Sequence, residues 1–154
     1  MTVAENLMVA LDFATVTDDF MPAAQRRDTM MSILTRMGLA SKADVSATKL
    51  SQVELRKMEL ARAMATRPKL LISDEAMAGL SSSEVDEVLD LLMSLADLDI
   101  TVIMIEHNRD VVTRVSDRVY RLEAGRIVEF GTPQEVLGLA IRTEIRNAQV
   151  AITQ

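Results

Sequence analysis

The sequence predicts an α/β protein in which helices come first and a parallel sheet follows. Through residue 67, apolar side chains recur at three- and four-residue intervals, the pattern of amphipathic helices. Two short apolar runs, residues 70–73 and 101–106, are then separated by one amphipathic stretch of helix length, which makes a βαβ unit with parallel strands. Each run ends in polar groups: Asp74 and Glu75 after the first, His107 after the second. In open α/β sheets chemistry gathers beyond the carboxyl ends of the strands, so all three residues fall on one rim.

The elements follow in order. Thr2-Val3-Ala4-Glu5 has the spacing of a capping box, and Val3, Leu7, Met8 and Leu11 continue it as a first helix. A polar turn at residues 17–19 leads to Pro22, after which Met30, Ile33, Leu34 and Met37 make a second stripe that Gly38 stops. Ser51 caps a third helix with Ala61, Met64 and Ala65 on its inner face, and Arg67 ends it before Pro68. Residues 70–73 are expected to form a strand buried on both faces. Ser81, Ser82 and Ser83 offer caps for a helix with Val85, Val88, Leu89, Leu92 and Leu95 inward, and Asn108 caps a short helix carrying Val111, Val112 and Val115. Residues 119–123 and 126–130, joined by Ala124-Gly125, read as a hairpin. Thr132-Pro133-Gln134-Glu135 combines a capping box with Pro at the first helical position and opens a final helix. The expected divisions are a helical subdomain at 1–67, a partial core at 68–131 and a C-terminal helix at 132–154.

Composition narrows the function. A chain of 154 residues, about half of them apolar, is one ordinary domain with a real core. A net charge of −6 argues against a nucleic-acid binder, which needs clustered Lys and Arg. No cysteine is present, which excludes a disulfide framework and fits a reducing compartment, so a cytoplasmic location is expected. The first thirteen residues carry Glu5 and Asp12 and no basic start, unlike a signal peptide or a spanning helix. Direct membrane insertion is therefore not expected, and any membrane link runs through a partner.

A strand that ends in Asp-Glu suits phosphate-anhydride hydrolysis. The aspartate can hold magnesium, while the glutamate, projecting to the other face, can orient or deprotonate the attacking water. Either carboxylate alone is an ordinary solubilising strand end, and a lone histidine is more often structural than catalytic. The shared rim is what raises Asp74, Glu75 and His107 above that background. Other chemistries lack support: there is no H-E-x-x-H, no G-x-S-x-G and no His-Cys cluster.

Five blocks in order carry a family resemblance: Leu50-Ser51-Gln52-Val53-Glu54, Arg56-Lys57-Met58-Glu59-Leu60-Ala61-Arg62-Ala63, Arg67-Pro68-Lys69-Leu70-Leu71-Ile72-Ser73-Asp74-Glu75, Ala78-Gly79-Leu80-Ser81 and Ile105-Glu106-His107. From Thr2 to about Leu137 the chain resembles the ATP-binding subunit of an ABC transporter, which implies a P-loop ATPase core preceded by a helical subdomain. The resemblance implies that residues 50–54 are the signature loop, with Ser51, Gln52 and Glu54 toward a nucleotide held by the other subunit of a dimer. It places Asp74 at the magnesium position, Glu75 at the catalytic base, residues 78–81 with Ser81 in the D-loop, and His107 at the switch histidine. It further implies ATP and Mg2+ as cofactors, with a second ATPase subunit and a transporter membrane subunit as partners. Residues 2–6, 77–80, 106–108 with 110–112, and 131–133 resemble in particular the branched-chain amino acid importers.

The departures from that family are large. No G-x-x-x-x-G-K-[ST] loop occurs, nor does the family's Q-loop, so this chain alone is expected to bind ATP poorly. Gln52 and Val53 stand where the family has two glycines, and Ala76 where it has proline. The family's phosphate-loop strand lies mid-sheet, between the strand ending at Glu106 and the one starting near Val119. Without it, the Val119 strand must shift, a second polypeptide must supply a strand, or the chain is marginally folded. Three readings remain: the Walker B to switch-histidine part of an ATP-driven transporter subunit, amino acids being the expected cargo; a non-catalytic module that docks to a transporter or ATPase subunit; or a truncated product with no independent role.

Overall fold

Capping fixes where the helices start. In the computed structural model, which describes residues 1–14, 22–138 and 149–153, α1 (Val3–Ala14) opens with the expected box: the Glu5 N–H donates to Thr2 Oγ1 at 3.1 Å, and the Thr2 N–H donates to Glu5 Oε2 at 2.8 Å. The next free donors of that helix are satisfied from elsewhere, Val3 N–H by Val45 O at 3.0 Å and Ala4 N–H by Ala43 O at 2.8 Å. The polar turn expected at residues 17–19 lies outside the described residues. α2 (Ala23–Arg36) ends where Gly38 takes φ 69 and the Leu39 N–H reaches back to Leu34 O at 2.7 Å. α3 (Gln52–Ala65) begins with a second complete capping box, Ser51 with Glu54. Met64 on this helix is only half-buried, so Ala61 and Ala65 hold its inner face with Met58 and Leu60.

The chain divides into two compact units, Met1–Pro68 with Gly79–Val88, and Lys69–Ala78 with Leu89–Gln154. Residues 79–88 thus belong with the helical unit, which a linear boundary does not show. In the first unit α1, α2 and α3 pack on one another around Val3, Leu7, Leu11, Leu34 and Met37, all essentially inaccessible to solvent. Burying each leucine contributes about 1.5–3 kcal/mol, which is how three short helices stay together. Lys57 is buried and ion-paired with Glu87 in the same unit.

The second unit is a five-stranded sheet. β1 (Leu70–Asp74) and β2 (Thr101–Ile105) are parallel, from Leu70 opposite Thr101 to Asp74 opposite Ile105, and α4 (Ser82–Ala96) is the crossover between them. α5 (Arg109–Val115) is capped by Asn108, whose side chain accepts from the Asp110 and Val111 N–H groups. β3 (Arg118–Glu123) and β4 (Arg126–Gly131) form the expected hairpin, with positive φ at both Ala124 and Gly125 as a two-residue primed turn demands. α6 (Pro133–Leu137) has the expected Thr132 and Glu135 box, and it packs Val136 and Leu137 with Val112 and Val119.

Three expectations are corrected. The final helix does not run toward residue 154: Gly138, at φ 67 and ψ 32, closes α6 after five residues, and the last described element is a strand, β5 (Gln149–Thr153). The Val119 strand does not shift to pair with the strand ending at Glu106, as one of the expected remedies for the missing mid-sheet strand required. The order is β1-β2-β5-β3-β4, so β5 itself lies parallel to both β2 and β3 and supplies the backbone partners that each needs. β1 is not buried on both faces either: Leu71 is inside, but Leu70 is 48% and Ile72 62% exposed, because no described element covers that side of the strand.

The boxes make a pH prediction. Lys42 first, then the Ser51 N–H, hold the Glu54 carboxyl below the ordinary glutamate value of 4.5. Ser81 does the same for Glu84, through its hydroxyl first, and Thr132 for Glu135, through its N–H first. A lowered folded value means stability that is present above pH 4.5 and lost as pH falls through the depressed folded values. Urea midpoints are expected to hold from pH 7 to 5 and decline below the ordinary glutamate value, less steeply in a Lys42→Met, Ser81→Ala double variant, which removes the leading partners of Glu54 and Glu84. An identical acid profile in that variant contradicts the assignment.

Candidate functional site

Asp74 occupies the last ladder position of β1, directly opposite Ile105, so the carboxyl ends of two in-register parallel strands meet here. Glu75 then leaves the strand at φ 44, in the left-handed region that a non-glycine residue rarely adopts and that costs about 1–3 kcal/mol. Its N–H still donates to Ile105 O at 3.0 Å, so the turn is pinned to β2. His107 stands two residues past Ile105, and its Nδ1 lies 3.9 Å from Glu75 Oε1. Both side chains are open to solvent, 69% exposed for His107 and 54% for Glu75, and Asp74 is exposed beside them. Two carboxylates and an imidazole thus share a solvent-exposed rim.

Magnesium is the metal this rim suits. Among the described residues no group of three or more His, Cys, Asp or Glu could cage a metal. Mg2+ does not need such a cage, since it keeps several waters and takes one or two carboxylates together with substrate phosphates. An exposed strand-end carboxylate, Asp74, fits that donor set.

A residue that sequence reasoning passed over supports the rim from beneath. Glu106, only 3% exposed, accepts the Met77 N–H at 3.3 Å and ties the loop after Glu75 to the end of β2. Its signal was an acidic residue closing an apolar run, which reads equally as a solvated strand end. Paired in this way, the buried carboxylate holds the Glu75 loop.

The remaining candidates lie in the helical unit. Ser51 and Glu54 are occupied by the N-cap of α3: the Ser51 N–H donates to Glu54 Oε2 at 3.0 Å, and Glu54 also ion-pairs with Lys42. Ser81 similarly donates its N–H and its hydroxyl to Glu84 Oε2, at 2.8 and 2.7 Å. Gln52 lies against Gly79, where a Cβ would meet Gln52 Oε1 at 3.2 Å, so this unit brings the 50–54 and 79–81 segments together. Gly79, at φ 79, is the conformation glycine alone adopts without strain.

The family description "ABC transporter" matches residues 1–78, a span that holds residues 50–54 as well as Asp74 and Glu75. This chain belongs to the ABC transporter family. It is 40% identical over 137 residues to a methionine import ATP-binding protein of Rhodococcus jostii, covering 88% of this chain and 39% of that one. It is likewise 40% identical over 111 residues to a phosphonates import ATP-binding protein of Thiobacillus denitrificans, covering 71% and 43%. The fold matches the ADP conformation of an ATP-binding cassette of an ABC transporter, with a TM-score of 0.76 at 26% identity over 88% of this chain and 56% of that one. A part of the cbiONQ ABC transporter complex of Clostridium perfringens superposes with a TM-score of 0.78 at 28% identity, over 89% and 53%. The α/β ABC ATPase fold with an incomplete core is thereby established. The branched-chain subgroup is corrected, because the relatives are named for methionine and phosphonate import. The chain spans about two fifths of the length of those relatives. Among the described residues, no helix is long and apolar enough to cross a membrane.

Proposed function

We propose that this chain is the Walker B to switch-histidine portion of an ABC importer's ATP-binding subunit, and that it hydrolyses ATP only when joined by a phosphate-loop portion. The single observation that carries this is the approach of His107 Nδ1 to Glu75 Oε1, 3.9 Å, on the rim where Asp74 ends β1. Asp74 would hold Mg2+, which supplies charge neutralisation at the phosphates. Glu75 would accept a proton from the attacking water, and His107 would donate a hydrogen bond toward the terminal phosphate. Glu106 keeps the Glu75 loop against β2, so these groups need not reorganise.

In the helical unit Ser51, Gln52, Glu54 and Ser81 are proposed to face nucleotide held by a partner ATPase subunit. Gln52 and Val53 crowd the approach that two glycines would leave open, so that contact is weak. The cargo class is a small polar nutrient, an amino acid by similarity to the methionine importers. A transporter membrane subunit would hold the complex at the cytoplasmic face of the membrane. The alternative of a purely non-catalytic docking module is disfavoured by similarity to relatives named as import ATP-binding proteins.

The test is complementation. Mixing the chain with a separate polypeptide that carries a strand, a phosphate loop and its following helix is expected to give magnesium-dependent ATP hydrolysis that neither part shows alone. A well-folded complex that hydrolyses nothing rejects the reading.

A further inference from the structure

The sheet is closed in its middle but bare on one side. Parallel sheets are ordinarily covered on both faces. The Leu71, Val102, Met104 and Val119 face is buried here, whereas register places Leu70, Ile72, Ile103, Tyr120 and Phe130 together on the opposite face. On that face Leu70, Ile72 and Phe130 are 48%, 62% and 63% exposed. Tyr120 and Phe130 stack across the hairpin with ring centroids 6.0 Å apart, which keeps the patch flat and apolar.

Chain direction says what fits it. The step from β1 to β2 runs one way along the sheet, and the burial of Leu89, Leu92 and Leu95 on its crossover helix α4 assigns that helix to the buried face rather than the bare one. Crossovers between parallel strands are right-handed. A strand placed between β2 and β3 whose chain went on toward β1 would step the opposite way, so its helix would cross on the opposite face, the bare one. The slot between β2 and β3 and the bare apolar face are therefore the two halves of one receptor for a strand–loop–helix unit. The loop of such a unit would emerge at the carboxyl end of the slot, on the rim of Asp74, Glu75 and His107.

We infer that β5 is a stand-in strand, held between β2 and β3 until a polypeptide carrying the phosphate-loop strand and its following helix displaces it and lays that helix on the Leu70, Ile72 and Phe130 face. β5 keeps the edges of β2 and β3 paired, which blocks their association with other chains. It also excludes the strand that would bring a phosphate loop to the rim, so the chain by itself is held inactive. This rests on the ATPase reading above for the identity of the incoming polypeptide, and on the sheet alone for the exchange.

The experiment uses the full chain and the same phosphate-loop polypeptide. Cysteines are introduced at the paired positions 104 and 151, Met104→Cys with Ala151→Cys, in a chain that has no other cysteine. The expected result is that the oxidised chain fails to bind, and that reduction restores binding. On binding to the unmodified chain, hydrogen exchange at residues 149–153 should rise while residues 102–105 and 118–121 stay protected. Ile72→Glu, at an exposed site that folding does not depend on, should weaken binding at least about tenfold, and Phe13→Ser on the helical unit should not. Binding that is indifferent to the disulfide, residues 149–153 still protected in the complex, or no binding by the reduced chain would each overturn the inference. So would self-association abolished by Ile72→Glu, which would give the face to a second copy. A complex with β5 displaced that hydrolyses no ATP would leave strand exchange standing and remove the ATPase reading.

Discussion

Glu75→Gln is expected to lower ATP turnover of the complemented complex by about 10²-fold or more while nucleotide binding persists, because general-base catalysis contributes on that order. The substitution keeps size and hydrogen-bonding capacity and removes only the ability to take a proton. The turn that carries the side chain is pinned by the Glu75 N–H to Ile105 O bond, so the amide will sit where the carboxylate sat. The left-handed backbone at Glu75 makes the same point from the other side. Two tethers, one from Ile105 and one from Glu106 to Met77, hold the backbone on either side of the Glu75 side chain. Single-turnover measurement with radiolabelled ATP separates the chemical step from binding. A turnover within a factor of about two of the unsubstituted complex would assign the proton transfer elsewhere.

Leu34→Ala is expected to be the most damaging single truncation in the helical unit, costing about 2–5 kcal/mol. Leu34 is fully buried on α2, which packs on both α1 and α3. Domains of ordinary size are stable by about 5–15 kcal/mol, so a loss of this size uses much of the margin. Urea unfolding monitored by far-ultraviolet circular dichroism reads the change. A loss below about 1 kcal/mol would mean that the three helices repack freely and that Leu34 is no keystone.

The sequence made the elements legible where a local device sets them. Thr2 with Glu5, Thr132 with Glu135, Ser51 and Asn108 are side chains whose hydrogen bonds start helices whatever surrounds them, and all four do so. Ala124-Gly125 marks its turn for the same reason. What was not legible depends on distant parts of the chain. Gln149-Val150-Ala151-Ile152-Thr153 is too short to announce itself, and it is a strand because β2 and β3 offer backbone partners on both sides. The exposed Ile72 and buried Leu71 look alike in a run of apolar residues, since only tertiary structure decides which face is covered.

The candidate site divides along the same line. Asp74, Glu75 and His107 were placed on one rim by strand ends alone, and the 3.9 Å approach of His107 to Glu75 follows from the parallel register. The capping duties of Ser51, Glu54 and Ser81 were half visible, since a Ser followed three residues later by Glu is a helix start before it is anything else. Glu106 was missed because its function lies in burial, and burial is not written in the type of residue.

The central claim, that the end of β1 is the magnesium and water-activating half of an ATPase site, is tested most directly by titrating Mg2+ into the complemented complex and following ATP hydrolysis with Asp74 intact and with Asp74→Ala. Hydrolysis that rises with Mg2+ in the first and is absent in the second is the predicted result. Equal magnesium-dependent hydrolysis in both would contradict the claim.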